Sequence, residues 1–250
     1  MTGNRIKFLD CPLDAISYSQ AVDQCLNWCQ GQRQAHTVVT INASILMMMR
    51  RDKELLQACT AGDLIVADGM SVVWGTNLVG TAVPERIAGV DLMASLLEEA
   101  AKQQLKVFFL GATEEVVTRL KDICHDKYPG LMVAGYRNGY FSDDQHAEII
   151  HLIRQSEADL LFVGMPSPFK EVWCEKQRDS LGIPVIMGVG GSFDVLAGYV
   201  KRAPVWLQNI GMEWFWRLLK EPRKMWKRYL FTNTLFIWHT LFWAQKKREK

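Results

Sequence analysis

Two stretches decide the fold of this chain: HTVVTIN at residues 36–42 and LIVADG at residues 64–69. Each is a short apolar, β-prone run that ends on polar residues, which is typical of a buried strand leading into a loop. Similar runs recur at 106–110, 131–134, 160–163 and 184–189, and helical patterns lie between them near 43–60, 89–104, 114–127, 143–156 and 168–181. Continuous apolar strands alternating with amphipathic helices predict an α/β, Rossmann-like, mostly parallel sheet with helices on both faces.

The polar residues at the two strand ends form the first candidate site. Thr40 and Asn42 are two apart on a strand and therefore point to the same side, while Asp68 stands at the next strand's exit. Ligands of open α/β sheets lie beyond the carboxyl ends of the strands, so these groups would meet there. Two interpretations stay open: a general base beside two hydrogen-bonding groups, or a turn aspartate with strand-end caps.

Composition describes an ordinary globular protein with ample core material. The chain has 250 residues, of which 49% are hydrophobic and 22% charged, and residues 1–10 hold no apolar signal core. The six cysteines are scattered without the paired clusters of a zinc site, so we expect free thiols in a reducing cytoplasm. No His/Asp/Glu cluster suggests a metal, and no cofactor is expected.

Charge and tryptophan are concentrated at the C-terminal end. Residues 201–250 hold 12 of the 29 Lys/Arg but 3 of the 27 Asp/Glu, and six of the nine Trp. The local balance is therefore +9, against −7 for residues 1–200. We expect a globular body over 1–200 and a helical appendage over 201–250. Its apolar run at 229–244 is too short and polar to span a bilayer, so it is interpreted as lying in the membrane interface. Packing on the body or on another subunit is the alternative, and lipid is favoured over nucleic acid.

Several turns carry further candidates. The glycine turn at residues 188–191 approaches a dinucleotide fingerprint but lacks its third glycine, so Gly190 is interpreted either as facing a diphosphate or as a tight turn. Asp194 could bind a ribose or cap a helix. Arg86, a lone loop cation, is a solvated charge, a salt-bridge partner or a phosphate ligand.

Nine motifs, taken together and in order, resemble the bacterial WecG/TagA/CpsF glycosyltransferases over about residues 6–235. They are Thr40-x-Asn42, Ala67-Asp68-Gly69, Arg86-x-x-Gly89-x-Asp91, Phe109-Leu110-Gly111, the stretch from Gly135 through Asn138 to Phe141, the stretch from Gly188 to Asp194, Arg202-Ala203-Pro204, Glu213-Trp214 with Arg217, and Glu221-Pro222-Arg223.

The resemblance implies an inverting, metal-independent transfer of a sugar from a UDP-sugar to a polyprenyl-diphosphate-linked acceptor, at the cytoplasmic face of the inner membrane. It makes Asp68 the general base, places Thr40 and Asn42 at the donor sugar, and places Arg86 near the diphosphate. The appendage would dock on the membrane as a peripheral element.

The remaining binding residues follow from the same resemblance. Gly111 and Asn138 lie in its motifs and are predicted to bind substrate, as are Gly190 and Asp194. From the appendage, the basic residues expected over the leaving group are Arg217, Lys224 and Lys227.

Lys170 departs from the family pattern. The family commonly has Gly-x-Pro-x-Gln-Glu where residues 167–171 read SPFKE, so a cation replaces a neutral amide. We expect Lys170 either to adapt the pocket to another sugar, such as one bearing a carboxylate, or to contact phosphate. The alternative is a helix lysine that points outward. The donor is expected to be an N-acetylmannosamine, its uronic acid or a glucose.

Two rival functions are weaker. An oxidoreductase using the 188–191 turn lacks the full glycine fingerprint. A non-catalytic membrane scaffold would not need the intact strand-end polar groups. The oligomeric state is left open, because the aromatic tail could pack on a neighbouring subunit in a homo-oligomer.

Overall fold

The computed structural model describes residues 4–220 and 222–248, and within these ranges it does not describe the side chains of residues 209, 217, 222–231 and 246–248. Its centre is a six-stranded, all-parallel sheet with strand order β4-β3-β8-β7-β5-β6. The strands are β3 (His36–Ile41), β4 (Leu64–Ala67), β5 (Lys106–Gly111), β6 (Met132–Arg137), β7 (Leu160–Gly164) and β8 (Val185–Gly188). The predicted Rossmann-like α/β fold is therefore confirmed.

Helices connect these strands and account for most of the remaining residues. The described α-helices are α1 (Tyr18–Gln30), α2 (Ala43–Met49), α3 (Lys53–Thr60), α4 (Met70–Leu78), α5 (Gly89–Gln103), α6 (Glu114–Lys127), α7 (His146–Gln155), α8 (Phe169–Leu181), α9 (Ser192–Leu196), α10 (Val205–Asn209), α11 (Glu213–Lys220) and α12 (Pro222–Arg248). A 3-10 turn over Asp143–Gln145 precedes α7.

Local sequence explains where the predicted and observed elements differ. The single helix expected over 43–60 is two helices, because Asp52 caps α3 by accepting a hydrogen bond from Leu55 N at 3.0 Å. The strand expected over 131–134 runs from 132 to 137 instead. An antiparallel hairpin of β1 (Arg5–Phe8) and β2 (Cys11–Asp14), and helix α4, were not among the predicted elements.

The two faces of the sheet have different partners. Side chains such as Val38 and Phe109 pack against α1, α5, α6 and α9 on one face. On the other face, Val39 and Ile41 pack against the hairpin, α2, α3 and α4, while strands β5 and β7 pack against α7 and α8. The sheet is thus buried on both sides, as a parallel sheet requires.

The topology creates a crevice between β3 and β8. These strands are neighbours, yet the helix after β3 (α2) packs on one face and the helix after β8 (α9) packs on the other. Adjacent strands whose connections diverge in this way open a gap at their carboxyl ends, where ligands of open α/β sheets bind.

The C-terminal helices lie against this half of the molecule. Phe236 of α12 is buried and meets Phe8 of the hairpin edge to face, with ring centroids 6.1 Å apart. Within residues 4–220 and 222–248, no helix has the length and apolar character needed to cross a membrane. The division into a body and an appendage at residue 200 stays a prediction.

Candidate active site

A cavity of about 1140 Å³ opens at the carboxyl ends of β3, β4 and β8. It brings together seven of the residues predicted from sequence: Thr40, Asn42, Asp68, Arg86, Lys170, Gly190 and Asp194. Its other walls come from α2, α4, α11 and α12. The topology therefore brings the strand-end polar groups together, as the sequence predicted.

Asp68 lines the cavity, and contacts with two elements fix its position. Its backbone N–H donates to Ile41 O at 2.8 Å, which continues the β3–β4 pairing by one residue. Its Oδ1 accepts a hydrogen bond from Gly89 N, the first residue of α5, at 3.3 Å. A negative charge is favourable there, because unpaired N–H groups and the helix dipole meet at the N-terminus of this long helix.

Thr40 stands beside that carboxylate. A Cβ added to Gly89 would lie 3.6 Å from Thr40 Oγ1 and 3.8 Å from Asp68 Oδ2, so both oxygens surround the same glycine. Thr40 is buried but lines the cavity. The hydroxyl and the carboxylate therefore face one small space.

Asn42 fits both interpretations offered by the sequence. Its Oδ1 caps α2 by accepting from Ile45 N at 3.1 Å, which is the structural role. It also lines the cavity, and its amide nitrogen is the group that remains for a ligand. One side chain thus both starts a helix and contributes a donor to the site.

Arg86 is held by an ion-pair network, so it is not a solvated charge. Its Nε donates to Asp68 O at 2.9 Å, and its Nη2 donates to Glu213 Oε2 of α11 at 2.6 Å. Arg202 adds to the network. Its guanidinium pairs with both carboxylate oxygens of Asp91, and its Nε lies 3.6 Å from Glu213 Oε1. The hydrogen bond to Asp91 raises the pKa of Arg202 above its usual value.

The importance of Glu213, Arg202 and Asp91 was not recognised from sequence beyond their membership of motifs. Their carboxylate and guanidinium groups meet only in the folded chain, and the motif pattern offered no pairing. The network joins α11 to the loop that carries Arg86 and to α5.

The glycine turn after β8 forms another wall. Gly190 has φ of +53°, a left-handed conformation that favours glycine. Lys170 runs beneath this turn: a Cβ added to Gly188 would be 3.3 Å from its Cδ, and one added to Gly190 would be 3.5 Å from its Cε. Asp194 follows the turn on α9 and lines the same cavity.

The alternative of an outward-pointing Lys170 is wrong. The side chain is buried, with the residue only 5% exposed, and its Nζ pairs with Glu171 Oε1. Ser167 Oγ donates to the same carboxylate oxygen at 2.8 Å. Lys170 therefore lines the cavity as one partner of a buried ion pair, and the carboxylate of Glu171 balances its positive charge.

Gly111 and Asn138 are placed elsewhere. Neither lines the cavity: Gly111 is the last residue of β5, and Asn138 directly follows β6. Asn138 is engaged locally: its Nδ2 donates to Glu114 Oε2 at 2.7 Å, and its Oδ1 accepts from Tyr140 N at 3.0 Å. The side chains of Arg217, Lys224 and Lys227 lie outside the described part of the structure.

The described residues offer no evident site for a metal ion or for a reactive thiol. These residues contain no group of three or more His, Cys, Asp or Glu side chains arranged to hold a metal ion. All six cysteines are free, and five of them are buried. Burial raises the pKa of the Cys174 thiol, which lies beside the Lys170–Glu171 pair, to about 12.

Comparison with known proteins places the chain among glycosyl transferases. The family model described as "Glycosyl transferase WecG/TagA/CpsF family" matches residues 6–250. A relative from Bacillus spizizenii (strain W23), named N-acetylglucosaminyldiphosphoundecaprenol N-acetyl-beta-D-mannosaminyltransferase, is 35% identical over 227 residues, which are 91% of this chain and 85% of the relative. A relative of the same name from Bacillus subtilis (strain 168) is 32% identical over 199 residues, 80% of this chain and 77% of the relative. The chain therefore belongs to the WecG/TagA/CpsF family and is a glycosyltransferase.

Proposed function

We propose that this enzyme transfers a hexose derivative from a UDP-sugar to a polyprenyl-diphosphate-linked glycan, with inversion and without a metal ion. The names of the relatives support the lipid-linked acceptor. The donor is N-acetylmannosamine, its uronic acid or glucose, and the relatives' names favour N-acetylmannosamine. A nucleotide-cofactor oxidoreductase is set aside, because the family to which the chain belongs transfers sugars.

The proposal rests mainly on one observation: the carboxylate of Asp68 lies beside Thr40 in the lining of an open cavity. In the proposed step, Asp68 takes the proton of the acceptor hydroxyl. The hydroxyl oxygen then forms a bond to the anomeric carbon as the bond from that carbon to the UDP oxygen breaks. Thr40 and the Asn42 amide hold the donor sugar. A single base opposite the leaving group suffices for inversion, because no covalent intermediate has to form.

The leaving diphosphate requires positive charge and N–H donors. Arg86 already donates through Nε and Nη2, so Nη1 is the nitrogen we assign to the phosphate. Gly190 and Gly191 line the same cavity, and we assign their backbone N–H groups as further donors to the phosphate. We propose that Arg217, Lys224 and Lys227 add charge over the phosphates when both substrates are bound.

Lys170 is proposed to shape the donor subsite from below. Its alkyl stem supports the left-handed turn at Gly190, and Asp194 lies at the far end of that turn. Because Glu171 already matches the charge of Lys170, we expect the lysine to position the turn and not to pair with a sugar carboxylate. This again favours a neutral donor sugar such as N-acetylmannosamine.

We further propose that the enzyme is a peripheral protein of the cytoplasmic membrane face. Large apolar side chains of the C-terminal region are more than half exposed, among them Trp206, Ile210 and Leu219. They lie in the part of the chain with the strongest excess of basic residues. Apolar side chains among basic residues bind anionic bilayers, so binding to such vesicles should weaken as salt rises.

The deciding experiment measures UDP release with UDP-N-acetylmannosamine, its uronic acid and UDP-glucose, using an N-acetylglucosaminyl-diphosphate-prenyl acceptor. We expect acceptor-dependent release from one donor. Asp68→Asn keeps the size and the Gly89 hydrogen-bond acceptor, yet it should lower kcat by about 10²–10⁴-fold, the usual contribution of a general base.

The matched control is Asp143→Asn, which changes an exposed carboxylate outside the cavity. It should retain wild-type turnover, and addition of EDTA should leave both enzymes unaffected. Full activity of Asp68→Asn would remove the base assignment. If the wild type releases no UDP from any of the donors, the proposed reaction is contradicted.

A further inference from the structure

The cavity has a second part, in which apolar side chains predominate. It is lined by three helices, α2, α4 and α12, which contribute large apolar side chains and also the small polar side chains Ser44, Ser71, Thr232, Asn233 and Thr240. We call this part the apolar slot, and its apolar side chains are Ile45, Met48, Trp74, Leu78, Phe236, Ile237 and Leu241.

Two glycines set the width of the apolar slot. A Cβ on Gly75 of α4 would lie 2.6 Å from Phe8 Cζ and 3.3 Å from Phe236 Cζ, so glycine is needed here for the close approach of Phe8 and leaves room for Phe236 of α12. Gly211, with φ of +70°, lies directly on Trp74, where a Cβ would be 2.7 Å from the indole ring. The C-terminal helices are thus closely fitted to α4 while the space between them stays open.

The edges of the apolar slot face outward. Trp74 and Leu78 on α4, and Ile237 and Leu241 on α12, line the cavity and are nevertheless between 47% and 57% exposed. Phe236 is buried beneath them. Four half-exposed apolar side chains at the mouth of a polar site are costly in water unless a ligand or partner covers them.

We propose that the apolar slot binds the first isoprene units of the acceptor's prenyl chain. This inference rests on the proposed function, because the acceptor hydroxyl must lie at Asp68. The apolar slot is continuous with that polar end, so an acceptor with its sugar at Asp68 can extend its chain between α4 and α12. A UDP-sugar donor has no apolar part of this kind, whereas the relatives' acceptor is a diphosphoundecaprenol.

Chain length of the acceptor provides the direct test. Two acceptors with the same N-acetylglucosaminyl-diphosphate head, one carrying one isoprene unit and the other three, are compared with the full chain, without detergent or vesicles and below the aggregation concentration. We expect the three-isoprene acceptor to have a KM at least about tenfold lower, because each buried methylene favours binding.

Neighbouring residues on α12 supply a matched control. Ile237→Asn and Leu241→Asn should abolish most of the chain-length preference, raising the three-isoprene KM towards the one-isoprene value. Trp238 and Phe242 are as exposed but are absent from the cavity lining and stack on each other, with centroids 5.8 Å apart. Trp238→Asn and Phe242→Asn should keep the tenfold preference.

The outcomes separate this inference from the proposed function. Equal KM values for the two acceptors in the wild type would overturn the apolar slot, while the observed transfer would uphold the proposed reaction. Equal losses in all four variants would show a general surface effect and would also overturn it. If neither acceptor receives sugar, the proposed function fails and the apolar slot fails with it.

Discussion

The two halves of the sheet's carboxyl edge both consist of apolar strands that lead into polar or glycine residues, but the two halves differ in structure. After β3, β4 and β8 the chain leaves an open cavity, with Asp68 and Gly190 on its walls. After β5 and β6 the turns are closed by backbone contact: Ala112 N donates to Gly164 O, and Gly139 N donates to Ala112 O, each at 2.9 Å. One half therefore opens onto a cavity, and in the other the loops bond to each other and to β7.

One glycine from each half illustrates this difference in packing. Gly111 is the last residue of the buried strand β5, Gly190 follows the buried strand β8, and both have positive φ. A Cβ on Gly111 would lie 2.5 Å from backbone atoms of Gly164, whereas the nearest atom to one on Gly190 is the flexible Lys170 Cε at 3.5 Å. The same residue type therefore permits close packing in one half and ligand access in the other.

The largest effect we expect from this comparison is on stability. Gly111→Ala should lower the free energy of unfolding by about 3 kcal/mol or more, because the methyl group meets the backbone of β7 and φ is unfavourable. Gly190→Ala should cost about 1 kcal/mol through φ alone, and raise the donor KM several-fold because the strained turn shifts from its place in the cavity wall. Urea denaturation and steady-state kinetics measure the two effects.

Gly182→Ala is the control for backbone conformation. Gly182 has φ of +64° and no atom within 4 Å of an added Cβ. It should therefore lose about 1 kcal/mol and no activity. If Gly111→Ala proves no less stable than Gly182→Ala, the closure of the β5–β6 half is not what we describe.

A smaller effect is expected at the ion pair that joins α11 to the open half. Glu213→Ala leaves Arg86 without its carboxylate and should lower kcat about tenfold, the equivalent of one charged hydrogen bond. Glu213→Gln keeps an acceptor oxygen and should retain most of that activity. Comparing kcat and KM for both variants shows whether Glu213 positions Arg86.

Glu85→Ala provides the control for this pair. Glu85 precedes Arg86 in sequence but accepts from Tyr18 N at 2.7 Å instead of touching the guanidinium. It should leave turnover unchanged. Equal activity of Glu213→Ala and wild type would show that Arg86 holds its position without α11.

The sequence predicted what depends on local pattern. Residues 64–67 and 114–127 form β4 and α6 with the predicted bounds. Apolar periodicity is a local signal, and so is Thr113, which caps α6 by accepting a hydrogen bond from Val116 N at 3.3 Å. The proximity of Asn42 and Asp68 followed from the rule that parallel strands end at one edge. Site geometry could thus be predicted wherever the backbone alone fixes it.

Contacts between distant segments could not be predicted in this way. Arg86 and Glu213 are 127 positions apart, and no local pattern pairs them. The burial of Lys170 depends on the β8 turn that covers it, whereas an exposed lysine is the usual outcome for a helix. The apolar slot needs α12 to lie against α4, which tertiary packing decides.

The smallest and sharpest comparison is between two asparagines. Asn42 and Asn138 both follow strands, but Asn42 lines the cavity, whereas Asn138 is half-buried outside it and bonded to Glu114. Asn42→Ala should cost about 1 kcal/mol of stability through the lost cap and lower kcat/KM up to about tenfold through one lost hydrogen bond. Asn138→Ala should cost about 1 kcal/mol of stability through the two local hydrogen bonds that it loses, and leave kcat/KM at the wild-type value. If Asn138→Ala instead loses activity as Asn42→Ala does, the β5–β6 half also contributes to binding, as the family resemblance implies, and the two halves cooperate around a larger substrate.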